Sequence, residues 1–66
     1  MNYSLNEKEV ESSSNLLSEV LGEQDLLDKG GIAVAVNDSV IPKSEWNITQ
    51  LNNNDKILII TATQGG

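Results

Sequence analysis

The feature that most constrains the fold is a run of four aliphatic residues near the C-terminus, Ile57-Leu58-Ile59-Ile60. A strand alternates its side chains between two faces, so apolar residues in succession indicate a strand that is buried on both faces. The run therefore predicts a strand over Lys56–Ala62 near the middle of a sheet. Met1, Tyr3 and Leu5 alternate with polar residues, which predicts a half-buried N-terminal strand that we expect beside it.

The amino-acid inventory argues against an ordinary enzyme. The chain has 66 residues, 38% of them apolar, and a chain of this size buries only about 60% of its unfolded surface. That suffices for one small core but leaves little for a deep substrate pocket. Cysteine and histidine are absent, which excludes disulfides and thiolate metal sites and removes the usual general base near neutral pH.

The charge pattern bears on partners and location. The formal net charge is −6, and the four lysines are scattered along the chain, so a nucleic-acid interface is not expected. The acidity suits either steering onto a basic protein surface or solubility alone. No basic start or long apolar run indicates a signal peptide or a membrane span, and we expect a cytoplasmic protein.

The first half of the chain predicts two strands and a helix. A turn at Asn6–Glu7 leads into a second strand over Lys8–Glu11, whose glutamates form a solvated face. Ser12–Ser14 supplies candidate N-caps, and Gly22 fits the left-handed position just past a helix end. The apolar stripe of that helix consists of Leu16, Leu17, Val20 and Leu21.

The second half predicts a hairpin and a short helical turn. A strand over Ile32–Val36 is followed by Asn37-Asp38, residues that tolerate positive φ in tight hairpins. The returning strand, Val40-Ile41, meets Pro42, which places it at a sheet edge. Ser44–Asn47 reads as a turn or a single helical turn, with Ile48 and Leu51 expected beneath it.

The order strand, strand, helix, strand, strand, strand predicts an α+β domain: a mixed sheet of four to five strands with one main helix packed on one face. Parallel first and last strands would make this a β-grasp, or ubiquitin-like, fold. The domain is expected to span residues 1–62, with residues 63–66 as a flexible tail.

The tail ends in Gly65-Gly66, directly after the most hydrophobic strand. Such an end is either a frayed or artificial remnant or a functional arm, since glycine can thread a narrow channel. A carboxylate at Gly66 is unreactive until activated, commonly as an acyl-adenylate made with ATP. The chain has no residues for that step, so a partner enzyme would be needed.

Several segments together resemble the sulfur carrier proteins of thiamine biosynthesis, over nearly the whole chain. They are Val34-Ala35-Val36-Asn37, Val40-Ile41-Pro42-Lys43-Ser44-Glu45-Trp46, Asp55-Lys56-Ile57 and Gly65-Gly66. The Pro-basic-Ser-Glu-Trp block is the most specific of these. Two positions depart from the family pattern: Asn54 replaces a usual Gly and Gln64 a frequent Ala.

The resemblance implies a β-grasp fold and a defined cycle. A ubiquitin-activating-like adenylating enzyme would use ATP and Mg²⁺ to form an acyl-adenylate on Gly66, while Gly65 and Gln64 thread into that partner. A persulfide sulfur donor would then convert Gly66 to a thiocarboxylate, which thiazole synthase consumes. The carrier is thus expected to be a protein co-substrate rather than an enzyme, with no bound cofactor of its own.

Three other functions fit the same chain. They are a carrier for molybdopterin synthesis, a ubiquitin-like protein modifier, and an interaction module with an idle tail. If partly exposed, Val40, Ile57 and Ile59 would form an apolar docking patch; otherwise they are ordinary core. Trp46 is interpreted as a packing residue and Asp55 as a turn cap rather than a metal ligand.

Overall fold

The computed structural model describes residues 1–28 and 30–61. They form five strands, one α-helix and one 3₁₀ turn in the predicted order. The elements are β1 (Asn2–Leu5), β2 (Lys8–Glu11), α1 (Leu17–Glu23), β3 (Ile32–Val36), β4 (Ser39–Ile41), a 3₁₀ turn (Lys43–Glu45) and β5 (Lys56–Thr61).

The strands form one mixed sheet in the order β2-β1-β5-β3-β4. The central strand β5 runs parallel to β1 and antiparallel to β3, while the two hairpins β1–β2 and β3–β4 are antiparallel. First and last strands are therefore adjacent and parallel, which confirms the β-grasp prediction. The strand before Pro42, β4, lies at the sheet edge as expected, because proline cannot donate to a further ladder.

The core lies between α1 and one face of the sheet. Leu17, Val20 and Leu21 of the helix are fully buried, as the apolar stripe predicted. They pack in a cluster with Tyr3, Val34, Trp46, Leu51 and Ile57. The face of the sheet that packs against α1 is called the helix-side face.

Tyr3 is the polar member of this cluster. Its hydroxyl donates a 2.6 Å hydrogen bond to the backbone oxygen of Ser14, which meets the requirement that a buried polar group be paired. Burial raises the pKa of Tyr3 above its ordinary value, and the negative charges of Asp55 and Glu23 raise it further. The hydroxyl therefore stays protonated and serves as a donor.

Helix α1 differs from its prediction at both ends. It begins at Leu17, without a side-chain cap bond from its N-cap residue Leu16. Gly22 lies inside the helix, and Asp25, with φ 61°, takes the left-handed position beyond the end. The Leu26 N–H donates to the Leu21 oxygen at 2.9 Å and the Asp25 N–H to the Gly22 oxygen at 3.1 Å. This is a Schellman motif, so the helix continues past Gly22 until Asp25 can turn and Leu26 can return to the core.

The two hairpin turns match their predictions. Asn6 and Glu7 have φ values of 51° and 69°, and Asn37 and Asp38 have 49° and 72°. Two consecutive positive φ values match the twist of two-residue hairpins. Asn54, where the related pattern has Gly, also has a positive φ of 73°.

Two packing predictions were wrong. Strand β5 is central in the sheet, but it is not buried on both faces. Leu58 and Ile60 are 48% and 46% exposed, because α1 covers only the helix-side face. Ile48 is 73% exposed on its turn, whereas Leu51 is buried as expected. Within residues 1–28 and 30–61, no helix is long and apolar enough to cross a membrane.

Candidate functional site

The predicted reactive residue Gly66, together with Gly65, Gln64 and the rest of the tail from 63, lies outside the described residues. The boundary of the domain at residue 62 lies there too. The described chain ends at Thr61, the last residue of β5, which pairs with Ile32 of β3. Strand β5 is the element that leads to this tail.

Strand β5 is held on both sides. Five residue pairs join it to β3, from Ile32↔Thr61 to Val36↔Ile57. On the other side, Asn6 extends the pairing of β1 with β5. Its side-chain Oδ1 accepts the Ile59 N–H at 2.8 Å, and its backbone N–H donates to the Ile57 backbone oxygen at 3.0 Å. The strand thus leads to a fixed exit point at the end of the sheet.

The turn before β5 is fixed by a carboxylate, as predicted for Asp55. One oxygen of Asp55 accepts the Asn52 N–H at 2.8 Å and the other accepts from the Asn37 amide at 2.9 Å. The Asn37 side chain in turn accepts the Lys56 N–H at 3.0 Å. Asp55 therefore ties the β3–β4 hairpin to the start of β5. Among the described residues, no group of His, Cys, Asp and Glu is placed to hold a metal ion.

Trp46 is a packing residue, as interpreted. It is 3% exposed, and its indole N–H donates to the Ile41 oxygen at 2.9 Å. The Lys43 ammonium lies 5.9 Å from the ring centroid, within range of a cation–π contact. The Pro-Lys-Ser-Glu-Trp block thus fastens the end of the edge strand β4 to the core.

The sheet face opposite α1, which we call the open face, carries exposed apolar side chains. Val40, Leu58 and Ile60 are 67%, 48% and 46% exposed. Cross-strand pairs Val40↔Ala35↔Leu58 and Ala33↔Ile60 place them on one face. Isolated exposed aliphatics are normal on a protein surface, and these three share one face of the sheet.

The docking patch predicted from sequence was conditional on exposure, and its three residues differ in this respect. Val40 meets its condition of exposure. Ile57 is 2% exposed and belongs to the core, and Ile59 is partly buried against that core. Period-two alternation puts both on the helix-side face, and the exposed aliphatic residues of β5 are Leu58 and Ile60. The signal was present in β3, where Val34 and Val36 alternate with small alanines that leave the other face shallow.

Carboxylates border the open face. A cleft of about 230 Å³ is lined by the apolar residues Ala35 and Leu58 and by the charged residues Glu7, Asp38 and Lys56, among others. Glu9 and Glu11 lie on the same face, because Glu9 pairs with Ser4 and Glu11 with Asn2, while Val10 pairs with the buried Tyr3.

Comparison with known proteins agrees with the sequence and the fold. The model of the ThiS family matches residues 2–66, whereas no curated protein matches the chain. The fold is similar to the crystal structure of the thiamine biosynthesis protein ThiS from Geobacter metallireducens, with a TM-score of 0.82, 20% identity and coverage of 100% of both chains. The chain belongs to the ThiS family, the sulfur carriers of thiamine biosynthesis.

Proposed function

We propose that this chain carries sulfur on the carboxylate of Gly66 and delivers it to thiazole formation. The observation that carries the proposal is the family match through residue 66, which includes the terminal Gly65-Gly66. The chain acts as a protein co-substrate, in the cytoplasm, while its partners supply the catalytic groups.

The proposed cycle has two covalent stages. In the first, an adenylating enzyme uses ATP and Mg²⁺, and the Gly66 carboxylate attacks the α-phosphorus and releases pyrophosphate. In the second, a persulfide sulfur attacks the acyl carbon and expels AMP. Cleavage of the resulting acyl disulfide by a thiol leaves a thiocarboxylate, whose sulfur thiazole synthase then takes up. Gly65 and Gln64 pass through the partner's channel.

The described part of the chain supports presentation of such a tail. Strand β5 is fixed by β3 on one side and by β1 and Asn6 on the other. A partner that docks on the domain therefore meets the chain leaving Thr61 at a defined place. We propose the open face, with Val40, Leu58 and Ile60, as the surface on which the partners dock.

The proposal is tested by ATP–pyrophosphate exchange with the adenylating enzyme of the same organism. Addition of the chain is expected to stimulate exchange, because reversible adenylation of Gly66 incorporates pyrophosphate into ATP. A chain that lacks Gly66 should not stimulate it. A matched control is Ile48→Ser, which changes an exposed aliphatic residue outside the open face and should behave as the parent chain.

Stimulation by the chain without Gly66 would contradict the proposal. Conjugates of higher mass on other proteins would instead identify a protein modifier.

A further inference from the structure

Asn6 lies where β1 ends and β5 continues. Backbone pairing of the two strands stops at Leu5↔Ile57, because the chain turns away at Asn6 with a positive φ. Strand β5 continues beyond that pair to Thr61. The Asn6 Oδ1 accepts the Ile59 N–H at 2.8 Å, so a side-chain oxygen takes the place that the next carbonyl of β1 would have occupied.

This oxygen supplies the last bond to β5 from the side of β1. Successive residues of a strand direct their N–H and C=O groups alternately to its two neighbours. Ile59 bonds to Asn6, and Lys56 bonds to Asn37 on the side of β3. Thr61 therefore faces the side of β1, and no group in the described part of the chain accepts its N–H there. Beyond the end of β1, the Asn6 side chain is therefore what holds β5 on that side.

The bond can be removed without disturbing the turn or the core. Asn6 is exposed, and glycine readily adopts its φ of 51°. Because the bond lies at an exposed strand edge, water can replace it, and its net contribution to global stability is small. It joins residues 53 positions apart in the sequence, so it restricts the separation of the end of β5 from the β1 side.

This restriction bears on the C-terminal carboxylate. A strand end that leaves the sheet lengthens the arm between the domain and Gly66, and a longer arm lowers the effective concentration of the carboxylate at a partner's site. Docking of the domain does not depend on that arm. Loss of the bond should therefore slow the reaction of Gly66 more than it weakens docking.

We propose that Asn6 is a positioning residue for the adenylation of Gly66. Its Oδ1 holds the Ile59 N–H and keeps the end of β5 in the sheet, so that the C-terminal residues start from one place when the domain is docked. The proposal rests on the proposed function and adds a residue that acts through the strand without touching the reacting atoms.

The test uses three variants. Asn6→Gly removes the acceptor and keeps the positive φ, while Asn6→Asp keeps an oxygen that can accept the Ile59 N–H. The matched control is Asn54→Gly, which makes the same change at another positive φ, 73°. Thermal unfolding first establishes that all three fold. If Asn6→Gly does not, Asn6→Ser replaces it, because its side chain is too short to reach the Ile59 N–H.

Two quantities are then measured. Amide hydrogen exchange in the free chain follows Ile60, which pairs with Ala33 on the other side of β5, and ATP–pyrophosphate exchange gives kcat and KM. Asn6→Gly is expected to speed amide exchange at Ile60 and to lower kcat, each on the order of 3- to 10-fold, as for the loss of one hydrogen bond. KM should change by less than about 2-fold, since docking is retained. Asn6→Asp should retain most of both properties, and Asn54→Gly should behave as the parent chain.

Unchanged amide exchange at Ile60 in Asn6→Gly would show that the end of β5 does not depend on Asn6, and would overturn the proposal. A kcat equal to that of Asn54→Gly would do the same, as would a higher KM with unchanged kcat, which would place Asn6 in docking. Failure of the parent chain to stimulate pyrophosphate exchange would instead contradict the proposed function, whereas amide exchange would still decide whether Asn6 holds the strand.

Discussion

The two faces of β5 can be separated by substituting adjacent residues. Ile57 is 2% exposed and Leu58 is 48% exposed, although both are aliphatic and of the same size. Ile57→Ala removes three buried carbons at about 0.8 kcal/mol each, and the cavity raises the cost to about 3–4 kcal/mol. Because about half of the Leu58 side chain is exposed in the native chain, Leu58→Ala should lower the free energy of unfolding by only about 1 kcal/mol.

These magnitudes matter for so small a domain. At about 0.05–0.15 kcal/mol per residue, 66 residues give a total stability of about 3–10 kcal/mol. Ile57→Ala should therefore lower the urea midpoint severely or prevent folding. If Ile57→Ala does not fold, Ile57→Val, which should cost about 1 kcal/mol, replaces it in the comparison with Leu58→Ala.

The two substitutions should affect different quantities: one mainly lowers stability to urea, and the other mainly lowers affinity for the adenylating enzyme. Ile57→Val is expected to lower stability and leave affinity unchanged once folded, whereas Leu58→Ala should weaken binding more than it lowers stability. A loss of stability on Leu58→Ala as large as that of Ile57→Ala would contradict this prediction, since it would mean that the open face is covered in the isolated chain.

Three further predictions concern single groups. Trp46→Phe removes the hydrogen bond to Ile41 and three atoms of a buried ring, and it should lower the free energy of unfolding by about 2–4 kcal/mol in urea titrations. Tyr3, the only tyrosine, should ionise above pH 10 in the native chain and near pH 10 when unfolded. Because its folded pKa is raised, stability should fall as pH rises above about 10, and tyrosinate absorbance in native and denatured protein checks this. Asp25→Gly should raise the thermal midpoint by about 2–5 °C, since glycine relieves the left-handed φ at a small entropic cost.

Sequence patterns predicted the fold well because its signals are local. The hairpin turns at Asn6-Glu7 and Asn37-Asp38 need residues that tolerate positive φ, and Pro42 marks an edge. The parallel pairing of first and last strands was harder, because it joins Leu5 to Ile57 across nearly the whole chain. The motif resemblance, rather than periodicity, made that pairing secure.

The sidedness of β5 could not be obtained from its own residues. Four aliphatics in a row carry no period-two signal, so Ile57 and Leu58 look alike until a helix is placed on one face. Burial of β5 on both faces was therefore predicted wrongly, and the conditional docking patch loses Ile57, which is 2% exposed and belongs to the core. The predicted helix end was wrong for another reason. Glycine adopts the left-handed conformation more easily than aspartate, but the return of Leu26 to the core places that conformation at Asp25 rather than at Gly22.

The proposed sulfur-carrying residue is Gly66, and a mass measurement tests this directly. The chain is incubated with the adenylating enzyme, ATP, Mg²⁺, a persulfide donor and a thiol, and its C-terminal fragment is then weighed. We expect a gain equal to the replacement of one oxygen by one sulfur, confined to the fragment that contains Gly66 and absent when ATP is omitted. An unchanged C-terminal mass, in a mixture whose adenylating enzyme is active on another ThiS-family carrier, would contradict it.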